Sequence, residues 1–176
     1  NYIHLDFTSN ESVQRFLGFI DKQDRVDVLI NNAGMVRENV RAPIWEVTDE
    51  QWRSGIDANL TSAFYCSRAV TESMKKRGSG KIINMASGYG LRGGRDIYMY
   101  CCGKGGIIQL TRALAISLAR YGITANTIVA GFIPTEGTAS MQENLPRSTE
   151  FIPVGRVGNP EEIGPIAVFL ASEASS

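Results

Sequence analysis

Histidine is almost missing from this 176-residue chain, occurring once, at His4. Cysteine is scarce as well. Cys66, Cys101 and Cys102 make an odd number without C-x-x-C spacing, which argues against both a disulfide framework and a zinc site. No charge of one sign predominates: 18 basic residues balance 18 acidic ones, so no broad field attracts phosphate backbones or anionic lipid. Nucleic acid and membrane surfaces are not expected partners. The longest apolar stretches, such as IAVFLA at 166–171, fall well short of the ~20 residues needed to span a bilayer. No initiator methionine is present, and the N-terminus lacks the basic-then-apolar form of a signal peptide. A soluble cytoplasmic protein is expected.

With 43% hydrophobic residues the chain can build one sizeable core and hardly two, so residues 1–176 are read as one domain. YIHLDFT at 2–8 predicts a short strand ending near Asp6, and Val13, Phe16, Leu17 and Ile20 recur at helical spacing after a Ser9 or Asn10 cap. VDVLI at 26–30 is a β-branched run expected to be buried on both faces of a parallel sheet. It empties into Asn31-Asn32-Ala33-Gly34. That is either an ordinary turn or, at the carboxyl end of a strand, the place where ligands bind in open α/β sheets.

Thr48-Asp49-Glu50-Gln51 has the form of a capping box and opens a helix to about Arg77, with Ile56, Leu60, Ala63 and Phe64 on its apolar side and Gly78 at its end. Asn59 interrupts that stripe. An amide there is costly unless bonded, so it is either a satisfied core group or one aimed at an active site. KIINMA at 81–86 and ITANTIVA at 123–130 are two more strands. Four strands alternating with helices predict a doubly wound parallel sheet. Residues 131–153 read as an irregular lid. Asn159-Pro160-Glu161-Glu162 caps a last helix, whose start Pro165 should kink or shift.

The chemistry concentrates between Ser87 and Lys104. Tyr100 lies thirteen positions after Ser87, and Lys104 four after Tyr100, on the same face of a helix. An ordinary phenol titrates near 10, and a neighbouring ammonium favours its charged form, which makes Tyr100 a candidate general acid/base. Ser87 stands ready to hold a substrate oxygen. Cys101 and Cys102, set between Tyr100 and Lys104, admit a nucleophile reading, but no acid/base partner for a thiolate accompanies them. Packed thiols in a reducing cytosol are the plainer reading.

These motifs together, NNAG at 31–34, DANL around Asn59, Ser87, Tyr100-x-x-x-Lys104, AGFIPT at 130–135 and PVGRVGNPEEI at 153–163, resemble the short-chain dehydrogenase/reductase family. The resemblance implies a Rossmann-like α/β fold and an NAD(P)-dependent oxidoreductase acting on a small alcohol or carbonyl compound, without metal. It further implies Tyr100 as acid/base, Lys104 on the nicotinamide ribose, Ser87 on the substrate carbonyl and Asn59 anchoring a water in a proton relay. Asn32, Ala33 and Gly34 would line the adenosine side of NAD or NADP, Asp6 and Phe7 would flank the adenine, and Ile133 and Thr135 would meet the carboxamide. A homo-oligomer, dimer or tetramer, is implied through the Asn59 and Tyr100 helices, with Leu114 and Leu118 available at outer positions or equally explained by the core.

The chain departs from the family pattern in lacking the glycine-rich turn after a first strand, the second strand and the last strand, and in carrying Ala130 where proline is usual. It therefore reads as a partial domain that should bind dinucleotide poorly by itself. A non-catalytic dinucleotide-sensing or scaffolding homologue is the competing expectation.

Overall fold

Helix starts follow the caps that the sequence supplies. Ser9 Oγ accepts the Ser12 N–H at 3.3 Å and opens α1, Asn10–Ile20. Thr48 Oγ1 accepts the Gln51 N–H (3.1 Å) while Gln51 Oε1 accepts the Thr48 N–H (3.0 Å), satisfying two end donors reciprocally. This box opens α2, Asp49–Ile56, which continues through a π-helical turn, Asp57–Thr61, into α3, Ser62–Arg77. The long α4, Tyr98–Leu118, follows, and α5, Gly164–Ala171, closes the order. Gly78 and Gly122 end α3 and the tail of α4 at φ +69° and +68°, the left-handed region in which a side chain is strained. The computed structural model describes residues 2–6, 9–23, 25–34, 42–135 and 149–176.

Among the described residues three parallel strands form the sheet: β1 (Val28–Asn31), β2 (Gly80–Ser87) and β3 (Ile123–Ala130), in that spatial order. Asn31 pairs with Asn84, and Ser87 with Ala130. Parallel neighbours require crossover connections, which the α2–α3 and α4 segments provide. Val70 and Met74 of α3 meet Leu118 of α4 over Ile82, Ile123 and Ala125. A second cluster joins Ala63, Ala86, Ile107 and Ile108 nearer the carboxyl ends of the strands. Met74 and Ile82 are fully enclosed, and burial of such side chains contributes roughly 1.5–3 kcal/mol each.

Between the two apolar clusters lies a polar layer. Asn31 Nδ2 donates to Asn84 Oδ1 (2.7 Å) and to Ser67 Oγ (3.3 Å), and Asn84 Nδ2 donates to Thr111 Oγ1 (2.8 Å), which itself donates to the Ile107 carbonyl (2.8 Å). Two strands and two helices are thereby tied at one level.

The sheet differs from expectation in number and edge. Residues 2–6 form no strand among the described residues, where the count is three rather than four. A strand exists only with a hydrogen-bonding neighbour, and β1 pairs with β2 alone. The Asp6 N–H goes instead to Ser12 Oγ (2.8 Å). β1 begins two residues later than predicted and is not buried on both faces: Ile30 is 47% exposed, because β1 is the edge of the described sheet.

Phe64 also leaves its predicted apolar side and is 43% exposed. The π turn before it holds more residues than an α turn, so positions beyond it fall behind the helical period. Leu118 belongs to the core and Leu114 packs against it, so neither is an outer contact. Pro165 shifts the start of its helix as expected, with Pro160–Ile163 forming a 3-10 turn before α5. Most of the predicted lid, residues 136–148, lies outside the described residues, as does Phe7. No helix among the described residues is long and apolar enough to cross a membrane.

Candidate active site

The carboxyl ends of β1, β2 and β3 carry, in turn, Asn32–Gly34, Ser87 and Gly131–Thr135. This is the edge at which ligands bind in open α/β sheets. Ser87 ends β2 and turns the chain: its Oγ accepts the Tyr89 N–H at 3.3 Å, capping a 3-10 turn over Gly88–Gly90. The glycine-rich loop then returns to α4. Just before the helix, Asp96 takes φ +60° and its Oδ1 accepts the Tyr98 hydroxyl at 3.1 Å.

Tyr100 stands in the first turn of α4 and Lys104 one turn on, as the spacing predicts. The Lys104 Nζ lies 5.9 Å from the Tyr100 ring centroid. Tyr89 meets Tyr100 edge-on, with centroids 6.3 Å apart. Lys104 is buried at 6% exposure, and its ammonium donates to the Met85 carbonyl at 3.0 Å. Burial pulls the Lys104 pKa down, because desolvation disfavours the charged form.

Asn59 comes to the same point from the π turn. It is 2% exposed, and its Nδ2 donates to the Gly55 carbonyl at 3.0 Å. Gly103 lets α4 close on it: a Cβ there would stand 2.6 Å from the Asn59 Cβ. A Cβ on Gly34 would stand 2.9 Å from Lys104 Nζ and 3.0 Å from Asn59 Oδ1. Gly34, Asn59 and Lys104, distant in sequence, therefore converge. The exposed residues Asn32–Gly34 thus adjoin a buried cation and a buried amide, a donor chemistry that fits the polar body of a dinucleotide.

Asp6 is exposed beyond the N-terminus of α1, and Ile133 and Thr135 follow β3. Cys102 is exposed and Cys101 half-buried, while burial pushes the Cys66 thiol up to about 11.

The family model described as enoyl-(acyl carrier protein) reductase matches residues 1–176. A 3-oxoacyl-[acyl-carrier-protein] reductase of Chlamydia pneumoniae is 36% identical, the match covering 100% of this chain and 71% of the relative. The chain belongs to the short-chain dehydrogenase/reductase family.

Members of this family close to the chain include the 2-dehydro-3-deoxy-D-gluconate 5-dehydrogenase of Pseudoalteromonas atlantica, 40% identical over 97% of this chain and 68% of that protein. The crystal structure of a gluconate 5-dehydrogenase from Burkholderia cenocepacia in complex with NADP and tartrate superposes with a TM-score of 0.88 at 32% identity, covering 97% of this chain and 68% of that one. The fold is Rossmann-like, and the activity class is that of an NAD(P)-dependent oxidoreductase acting on CH–OH or keto groups. Nothing in these relatives supports the scaffold alternative.

Two contributors escaped the motif reading. Tyr89, whose N–H bonds Ser87 Oγ and whose ring meets Tyr100, sits in a glycine-rich loop with no motif of its own. Asn84 carried a usable signal: it is the single amide inside the apolar run KIINMA.

Proposed function

We propose that this short-chain dehydrogenase/reductase interconverts a secondary alcohol and a ketone, with Tyr100 as general acid/base. The bound dinucleotide supplies or accepts the hydride at the substrate carbon. In the reductive direction Tyr100 gives its hydroxyl proton to the substrate oxygen, and in the oxidative direction it takes that proton back. Ser87 Oγ holds the same oxygen. Lys104 keeps a positive charge beneath the phenol and reaches the ribose, while Asn59 anchors a water that renews the proton.

Asn32, Ala33 and Gly34 line the adenosine side, Asp6 and Phe7 flank the adenine, and Ile133 and Thr135 meet the carboxamide. The single observation that carries this reading is the buried Lys104 ammonium, 5.9 Å from the Tyr100 ring and packed under Gly34. A scaffold has no use for a desolvated cation placed there.

The relatives named above are described by a 3-oxoacyl thioester and by sugar acids, so both classes belong in the substrate panel. Incubating the full-length protein with NADH or NADPH and such ketones should deplete the reduced-cofactor absorbance, and Tyr100→Phe should lower kcat by about 10²–10⁴-fold. No turnover on any ketone, or full activity in the variant, ends the proposal.

The enzyme is further proposed to be a homo-oligomer. A groove of about 450 Å³ between the α2–α3 and α4 segments, lined by Leu60, Phe64, Gly106, Leu110 and Ala113, supports pairing of these helices with a second copy. Sedimentation of the protein and of Phe64→Asp tests it: the variant should shift toward monomer. The three free cysteines accord with a reducing compartment such as the cytoplasm.

A further inference from the structure

Beyond β3, among the described residues, no regular hydrogen-bond ladder holds the connector that carries Ile133. Its Phe132 carbonyl accepts the Gly158 N–H at 3.0 Å. Gly158 also packs directly on Ile133, where a Cβ would stand 3.0 Å from Cγ1 and 3.5 Å from Cδ1. What holds Gly158 in place therefore decides where Ile133 lies.

Gly158 is the middle of a short loop closed by one carboxylate. Glu162 Oε2 accepts both Arg156 Nη1 (2.8 Å) and the Asn159 backbone N–H (2.7 Å), while Oε1 accepts Arg156 Nη2 (2.7 Å). Arg156 Nη1 also donates to the Val157 carbonyl at 3.1 Å, and Asn159 Oδ1 accepts the Glu161 N–H at 3.1 Å. Glu162 thus grips Arg156 before Gly158 and the Asn159 N–H after it, and Arg156 in turn holds the Val157 carbonyl. The fork-to-fork geometry fixes direction as well as distance.

Both partners are about half exposed, at 58% and 47% of their side chains, and exposed ion pairs contribute little to global stability. So many bonds on one carboxylate serve placement better than they serve stability.

We infer that Arg156 and Glu162 are positioning residues for dinucleotide binding: their clasp presents the Gly158 amide to Phe132 and so sets Ile133 at the nicotinamide end of the site. This rests on the oxidoreductase reading, in which Ile133 meets the carboxamide. Glu162→Gln cannot accept both arms of the guanidinium, and Arg156→Lys keeps the charge but loses the fork. Gly158→Ala pushes on Ile133 from the other side.

The test is titration of full-length protein and variants with NADH and NADPH, followed by fluorescence, beside steady-state kinetics and thermal unfolding. Glu162→Gln and Gly158→Ala should raise the dinucleotide Kd and KM by on the order of tenfold, less than the ~10²-fold that a 1 Å misplacement costs, with kcat changed far less and the unfolding midpoint nearly unmoved. Arg156→Lys should fall between them and the parent. Unchanged Kd and KM in the variants, or losses that merely track a lowered unfolding midpoint, overturn the inference. A parent protein with neither dinucleotide binding nor turnover overturns the oxidoreductase reading itself.

Discussion

The Lys104 ammonium occupies the space into which a side chain on Gly34 would project, 2.9 Å from the position of its Cβ. A loop at the end of β1 and a helix seventy residues later thus share one small volume. Neither can change without moving the other.

Gly34→Ala is the direct consequence. The added methyl must displace Lys104 Nζ or Asn59 Oδ1, and a misplacement of about 1 Å at a reacting centre costs on the order of 10²-fold in rate. Turnover should fall by that order while circular dichroism and unfolding stay near the parent's. Parental kcat/KM would show that the three groups do not act together.

The polar layer should behave unlike the apolar layers around it. Asn31→Ala removes the 2.7 Å donor to the fully buried Asn84 Oδ1, and an orphaned buried acceptor costs about 1–3 kcal/mol. Asn31→Asp, nearly the same in shape, should be worse, since it turns a carboxylate oxygen toward that acceptor. Urea unfolding checks both, and an Asp variant as stable as the parent contradicts the network.

Ile82→Ala, at the centre of the larger cluster, should cost about 2–5 kcal/mol through lost burial and the cavity left behind. Ile116→Ala, on a side chain 82% exposed, should stay within about 0.5 kcal/mol. Denaturant midpoints of the two variants separate the buried β2 position from the exposed α4 position.

Acid titration offers a check on the clasp. Bonds from Arg156 and the Asn159 N–H draw the Glu162 carboxyl down from its usual 4.5 to about 2. Its folded pKa is depressed, so its small contribution to stability is complete above about pH 4.5 and disappears as pH falls through about 2. The stability gap between parent and Glu162→Gln should be constant from neutrality to about pH 5 and close below that. A gap that closes near pH 6 would assign it to some other group.

Local signals were legible wherever the interaction that makes the element is itself local. Thr48 and Gln51 announce a capping box three residues apart, Tyr100 and Lys104 share a face by helical period alone, and ITANTIVA forms β3 over its predicted span, Ile123–Ala130. The π turn at Asp57–Thr61, after which Phe64 is exposed, has no comparable pattern, and its Asn59 packs on Gly103, far along the chain.

From its residues alone this chain declared a parallel α/β fold, the shared helix face of Tyr100 and Lys104 and the family to which it belongs, because periodicity, caps and spacing are encoded over a few turns of chain. Tertiary structure decided which groups meet: Gly34 with Lys104 and Asn59, Asn31 with Asn84, Phe132 with Gly158. It also decided that residues 2–6 form no strand. A strand edge, a buried amide and a close glycine contact each take their meaning from a neighbour far along the chain, and only the folded packing supplies that neighbour.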